Sequence, residues 1–387
     1  MIYLDQAATT FPKPRAVYEE VLRCMTRYGG NPGRGSHALS LAAAEKIYDC
    51  RALAAEFFCV DDPARVFFTM NTTHGLNTVL KGLLCEGDHV LISDLEHNAV
   101  YRPLYKMEQS GTISLSTFPS MIGDPRRNAL RICAGIARRM RPQTRMVVCT
   151  HISNICSLMM PIREIGSFCH RHGLLFVVDA AQSAGHEPIS VDEMNIDALC
   201  VPGHKGLYGP QGCGMVILGK GILPESLTEG GNGVLSLEGT MPDFSPERYE
   251  AGTLPTPAIA GLYEGLRAVR EVGIQTIAEH ERCLYRRTRD FLGNQKGIHL
   301  YAPEYEGSTL LFNLDGLSAD RTGALLDEAG VCVRSGYHCT ALGHKTLGTP
   351  EGGAVRVSFG MYNTVGEVDA FLGRLRKILR EQALDKG

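Results

Sequence analysis

Between residues 66 and 218 short, wholly apolar runs alternate with longer stretches that are apolar on one face only. The short runs, rich in Val, Ile, Leu and Phe and bounded by turn formers, read as strands buried on both faces; the longer stretches, apolar three and four residues apart, read as covering helices. The pattern predicts strands at 66–69, 90–93, 113–118, 146–150, 174–179, 198–201 and 214–218, with helices at 73–84, 99–110, 126–139 and 161–171. Such alternation is that of an α/β domain with a large, doubly wound, mostly parallel sheet. After the turn residues of 253–257 a helical pattern at 258–272 and strands near 309–313 and 354–358 predict a smaller α+β domain. The expected division is 16–254 for the large domain and 1–15 with 255–387 for the small one.

Composition narrows the partners. With 44% hydrophobic residues in a chain of 387, a core of that size can be filled, and 39 basic against 42 acidic residues leave a formal charge of −3 with no block of like charge. Nucleic acid is therefore not an expected partner. No apolar run approaches the ~18 residues of a membrane span, and Met1-Ile2-Tyr3-Leu4-Asp5 lacks a basic leader, so a cytoplasmic protein without a membrane partner is expected. The 13 cysteines are odd in number and show no C-x-x-C pair, which points to reduced thiols. Cys59, Cys149 and Cys200 stand in or beside apolar runs and are expected to act as small hydrophobes. No metal site is expected.

In an open α/β sheet ligands bind beyond the carboxyl ends of the strands, so polar residues ending the apolar runs carry the chemistry. One run stops at Asp179. The next leads through Pro202-Gly203-His204 to Lys205. An ammonium in a concave apolar site loses pKa by desolvation and can attack an aldehyde, while a nearby carboxylate can pair with a ring nitrogen. Those are the two groups that pyridoxal phosphate requires. A third run passes through Asn71 into Thr72-Thr73-His74-Gly75 and a helix start suited to a phosphate. A fourth places His97 where an imidazole could stack on an aromatic ring. Each residue alone reads equally as a cap, a turn or a surface side chain.

Taken in order, Tyr3-Leu4-Asp5-Gln6-Ala7-Ala8-Thr9-Thr10, Asn71-Thr72-Thr73, Glu96-His97-Asn98, Val178-Asp179-Ala180-Ala181-Gln182, Gly203-His204-Lys205 and Arg356-Val357-Ser358 resemble a known family over nearly the whole chain. That family is the class V aminotransferase group of fold-type I pyridoxal phosphate enzymes, and within it the cysteine desulfurases. The resemblance implies that Lys205 holds the cofactor as a Schiff base and moves the substrate's Cα proton. It implies that Asp179 pairs with the ring nitrogen, that Gln182 bonds the phenolic oxygen, and that His97 stacks on the ring. Thr72, Thr73 and His204 would hold the phosphate, Arg356 would clamp the substrate carboxylate with Asn154 assisting, and Thr253 would reach the phosphate of a second subunit, which implies a homodimer.

The reaction depends on another segment. Arg334-Ser335-Gly336-Tyr337-His338-Cys339 resembles the segment that carries the persulfide-forming cysteine of SufS-like desulfurases, with Arg334 and His338 expected to favour the Cys339 thiolate if close in space. L-cysteine would become L-alanine, its sulfur leaving on Cys339 for an acceptor protein in sulfur metabolism, such as iron–sulfur cluster assembly. Selenocysteine lyase is the nearest alternative, then an aminotransferase or epimerase with Cys339 incidental; a non-enzyme would have lost Lys205 or Asp179. Three features depart from the SufS-like pattern. Pro202 replaces a usual serine, Asn31-Pro32-Gly33 with Ser36-His37 is closer to NifS-like members, and Thr340-Ala341-Leu342-Gly343-His344-Lys345 is unusual after the cysteine.

Overall fold

The computed structural model describes residues 1–33 and 35–384. Its strands are β1 (Ile2–Tyr3), β2 (Val66–Thr69), β3 (His89–Ser93), β4 (Ser114–Phe118), β5 (Thr144–Thr150), β6 (Leu175–Asp179), β7 (Ala198–Pro202), β8 (Gly214–Leu218), β9 (Ile298–Tyr301), β10 (Thr309–Leu314), β11 (Val331–Cys332), β12 (Arg334–Gly336) and β13 (Ala354–Ser358). Its helices are α1 (Arg15–Arg27), α2 (Ala38–Phe57), α3 (Thr72–Leu83), α4 (Asn98–Gln109), α5 (Ala129–Ala137), α6 (Ile162–Arg171), α7 (Thr256–Val272), α8 (Ile274–Gly293), α9 (Ala319–Glu328), α10 (Ala341–Leu347) and α11 (Val365–Leu384).

Seven strands form one sheet in the order β2-β8-β7-β6-β5-β3-β4. Only β8 runs against its neighbours. Along each buried strand successive side chains enter opposite layers, as the period of two requires. Phe68, Leu91, Val147, Phe176 and Leu199 join the cluster covered by α2, α5, α6 and α7, whereas Phe67, Val90, Val148, Val177 and Cys200 join the one covered by α3 and α4. The unbroken apolar runs thus fill two layers at once, which is why they read without alternation. This is the expected doubly wound sheet.

Several helices start where a side chain can satisfy a free N–H group. Asn71 accepts from the His74 N–H and Asn128 from the Arg131 N–H. The second of these caps shortens the helix expected at 126–139 to Ala129–Ala137. The smaller antiparallel sheet has the order β12-β13-β10-β9. Its core gathers Leu310, Phe312, Val355 and Val357 with Leu284 of α8 and Phe371 of α11. The chain's first residues join it: β1 pairs with β11, and Ile2 and Leu4 are buried in the same cluster. Helix α7, beyond the expected boundary at 254, buries Ile259, Leu262 and Leu266 in the large core.

All 13 cysteines are unpaired. Cys149 and Cys200 are buried as expected, but Cys59 is exposed, at a left-handed φ of 56° just after α2, where the chain must turn rather than pack. Among the described residues no helix is long and apolar enough to cross a membrane, and no cluster of three His, Cys, Asp or Glu could hold a metal ion.

Candidate active site

The carboxyl ends of β5, β6 and β7 and the starts of α3 and α4 enclose a cavity of about 190 Å³. The structure brings Thr72, Thr73, His97, Asn154, Asp179, Gln182, His204 and Lys205 to its wall, as the sequence predicts.

Lys205 sits in the tight connection from β7 to β8, closed by the Gly203 N–H on the Cys213 carbonyl (2.9 Å) and the Tyr208 N–H on the Lys205 carbonyl (2.8 Å). The flanking glycines are steric necessities. A Cβ on Gly203 would meet the Cys213 carbonyl at 2.8 Å and one on Gly206 the Ala184 carbonyl at 2.3 Å. Desolvation brings the Lys205 amine down to about 8, against the opposing pull of the Asp179 carboxylate. Asp179 ends β6 at 2% exposure, one oxygen accepting the Ala181 N–H at 2.9 Å. Burial raises its pKa, while that N–H and Lys205 hold it down.

At the α3 start the Thr72 hydroxyl is buried without a partner, and so is Nδ1 of His204. Each such orphan costs about 1–3 kcal/mol unless something else bonds it. Both line the same cavity beside a helix N-terminus, so the site fits a phosphate-bearing ligand. His97 caps α4, its Nδ1 accepting the Ala99 N–H at 3.0 Å, which leaves the proton of the neutral ring on Nε2. Burial and the charge of Lys205 lower its pKa to about 4. Glu96 before it is fully buried, accepting from the Ser93 hydroxyl and from the Thr150 N–H (2.7 Å), which ties the ends of β3 and β5 together.

Some assignments need correction or addition. Arg356 is buried, but its fork is not free: Nη1 donates to the Asn154 carbonyl (3.1 Å) and Nη2 to Asp5 (2.8 Å), leaving Nε without a partner. The side-chain amide of Asn154 donates to the His338 carbonyl (2.8 Å), and that of Gln182 to the Ala7 carbonyl (3.0 Å) with its second N–H still to give. The 3–10 segment holds more than its motif announced. The Thr10 N–H and Lys13 Nζ both bond the His204 carbonyl at 3.1 Å and so brace the residue before Lys205. Lys13 was not singled out from the sequence; a lysine between two prolines carries no periodic signal. Within one chain Thr253 lies elsewhere. It is exposed, accepts from Asn31 (3.4 Å), and lines a separate cavity of about 600 Å³.

Cys339 is exposed on the loop between β12 and α10. That loop belongs to the small sheet but is bolted to the large one. The Asn98 N–H donates to the Cys339 carbonyl (2.7 Å) and the Thr340 hydroxyl to the Glu96 carbonyl (3.0 Å), which sets Cys339 beside His97. His338 and Cys339 take φ of 50° and 55°, a left-handed pair costing about 1–2 kcal/mol per residue. His338, expected to favour the thiolate if close in space, has its ring nitrogens engaged elsewhere. Its ring is turned to the Arg334 carbonyl (3.2 Å) and to His344 (3.1 Å), and burial pushes its pKa to about 3, so it is neutral.

A half-buried lysine just beyond the end of one strand and a buried carboxylate ending the next, facing a helix start with an orphan hydroxyl, make a cavity that suits pyridoxal phosphate on an open α/β sheet. The chain belongs to the class-V aminotransferase family, whose sequence model matches residues 2–371 and whose members depend on that cofactor. It is 32% identical to a probable cysteine desulfurase of Methanothermobacter thermautotrophicus over 97% of this chain and 94% of that one. It is 31% identical to a cysteine desulfurase of Shigella sonnei, covering 98% and 94%. Among solved structures, the apo cysteine desulfurase of Thermococcus onnurineus NA1 superposes with a TM-score of 0.88 at 30% identity, covering 98% of this chain and 95% of that one.

Proposed function

We propose that the protein is a pyridoxal-phosphate-dependent cysteine desulfurase that turns L-cysteine into L-alanine and leaves the sulfur on Cys339 as a persulfide. The observation that carries this reading is an exposed cysteine on a loop pinned at 2.7 Å to the residue after His97, which itself lines the lysine cavity.

Thr72, Thr73 and His204 would bind the cofactor's phosphate, and Asp179 its ring nitrogen. Bound there, the cofactor supplies an electron sink for the substrate's Cα. Lys205 holds and returns the Cα proton; its lowered pKa lets the free amine persist near neutral pH. His97, neutral by burial, covers the site and offers its Nε2–H. Arg356 takes the substrate carboxylate with Nε and the part of its fork it shares with Asp5. The Cys339 thiolate attacks the substrate's sulfur, the S–S bond forming as the C–S bond breaks, and the electron pair left on carbon ends in a C–H bond of alanine.

The remaining parts of the proposal have separate support. A homodimer accords with Thr253 standing away from its own lysine cavity and with exposed Leu22 and Met25 on α1. A sulfur-acceptor protein accords with the exposure of Cys339, and a reducing compartment such as the cytoplasm with 13 unpaired cysteines. We divide the chain into 16–254 and 1–15 with 255–387, bridged by α7. Product analysis tests the function. With a reducing thiol present to release the persulfide sulfur, wild type should give alanine and sulfide in equal amounts from cysteine, and Cys339→Ala should keep the cofactor's visible band but lose sulfide release. Keto acid in place of alanine would indicate an aminotransferase, and a large rate advantage for selenocysteine a selenocysteine lyase.

A further inference from the structure

The loop that carries Cys339 is stapled from behind by two histidine rings. His338 and His344 are both buried, with ring centroids 5.3 Å apart and planes within 11°. Their hydrogen bonds admit one consistent direction. The Arg334 carbonyl can only accept, so His338 donates to it from Nε2 (3.2 Å) and its Nδ1 must accept. His344 therefore donates from Nε2 to that Nδ1 (3.1 Å), and its own Nδ1 accepts from the Thr349 hydroxyl (2.8 Å). Burial lowers both rings, His344 to about 4, so the neutral forms this chain of bonds requires prevail near neutral pH.

The wire ends on a backbone carbonyl, so it moves no proton to the thiol; it fixes a shape. His338 is the first of two successive residues in the left-handed region, a conformation that persists only where surroundings over-determine it. On one side the Asn98 N–H and the Asn154 amide hold the Cys339 and His338 carbonyls. On the other, the His338 ring is held between the Arg334 carbonyl and His344 of α10. His344 lies in the segment following Cys339, whose sequence departs from the SufS-like pattern.

We infer that His344 is a positioning residue for the sulfur-accepting thiol: through His338, and oriented by Thr349, it holds Cys339 at the angle from which it meets the substrate's sulfur. The inference rests on the desulfurase reading, but its test separates the two.

The holoenzyme is compared with His344→Phe, which keeps an aromatic ring but loses the N–H, and His344→Gln, whose amide N–H reaches the position of Nε2. In the Phe variant the cofactor band should be unchanged, kcat for alanine formation should fall by about tenfold or more, and KM for cysteine should stay within about twofold, because misplacing a reacting group costs rate rather than binding. The alkylation rate of Cys339 by iodoacetamide, followed on its own peptide by mass spectrometry, should change with kcat. His344→Gln should restore both. Thr349→Val, which removes the hydroxyl that orients His344, should shift both in the same direction by a smaller factor, and decides the matter if the Phe variant does not fold. A Phe variant with wild-type kcat, or a Gln variant no better than Phe, overturns the inference. Sulfide release retained by Cys339→Ala would instead overturn the desulfurase reading, while the alkylation rates still report whether His344 positions the loop.

Discussion

The lysine end and the cysteine end of the site are built on opposite plans. Lys205 stands on the central sheet between two sterically obligatory glycines, with the carbonyl before it gripped by Thr10 and Lys13. Cys339 stands exposed on a loop of the small sheet, in a backbone conformation maintained by hydrogen bonds to its neighbours. On the proposed function, one end would retain a bound group and the other would hand sulfur over. The two ends are linked near His97, which lines the lysine cavity, because the Cys339 loop is pinned across to the large sheet on either side of that residue.

The sharpest way to break this contrast is Lys205→Ala. Alanine formation should fall by about 10³-fold or more, with borohydride no longer fixing cofactor to the chain, while iodoacetamide still labels Cys339 at the wild-type rate. Label appearing on another lysine would show that the buried end is misassigned. Arg356→Lys should come next, because a single ammonium cannot satisfy Asp5, the Asn154 carbonyl and a substrate carboxylate together. KM for cysteine should rise by about 10- to 100-fold with the cofactor band intact.

Thr72→Val should weaken binding of pyridoxal phosphate by about tenfold, measured by titrating the cofactor-free protein, and should leave that protein's melting temperature unchanged or higher, because it removes a buried hydroxyl with no partner. The smallest effect is one of pH. Only the neutral amine captures the aldehyde, and a folded-state pKa of about 8 means that the capture rate of cofactor-free protein should rise with pH through about 8. Asp179→Asn removes the charge that holds that pKa up, so the midpoint should move to lower pH; a midpoint near the ordinary lysine value would deny the desolvation.

How much of this was legible in the sequence follows from where each signal came from. The strands between 66 and 218 were readable to within a few residues because burial on both faces demands unbroken apolar runs, and their polar ends marked Asp179 and Lys205. Helices α1, α2, α8, α9, α10 and α11 carry no pattern that was read as helical. In α8 charge obscures the apolar stripe, its arginines pairing with Glu279, Glu306 and Asp369. The hold of Asp5 on Arg356 spans 351 positions, a contact that no local pattern encodes. The turning of His338 away from the thiol follows from packing against His344, and only the fold reveals it.

The long reach of that ion pair also orders the birth of the enzyme. The strand ends that bear Thr72, His97 and Asp179, and the hairpin around Lys205, are covered once helix α7 has been made, because Leu262 of that helix packs on Gly203 and Gly209. Asp5 must wait for Arg356, and Leu4 for Ser358, until those distant residues have been made. A ribosome-bound chain would thus acquire the walls suited to the cofactor before it could hold an amino acid, and catalysis would be withheld until Arg356 has emerged and met Asp5.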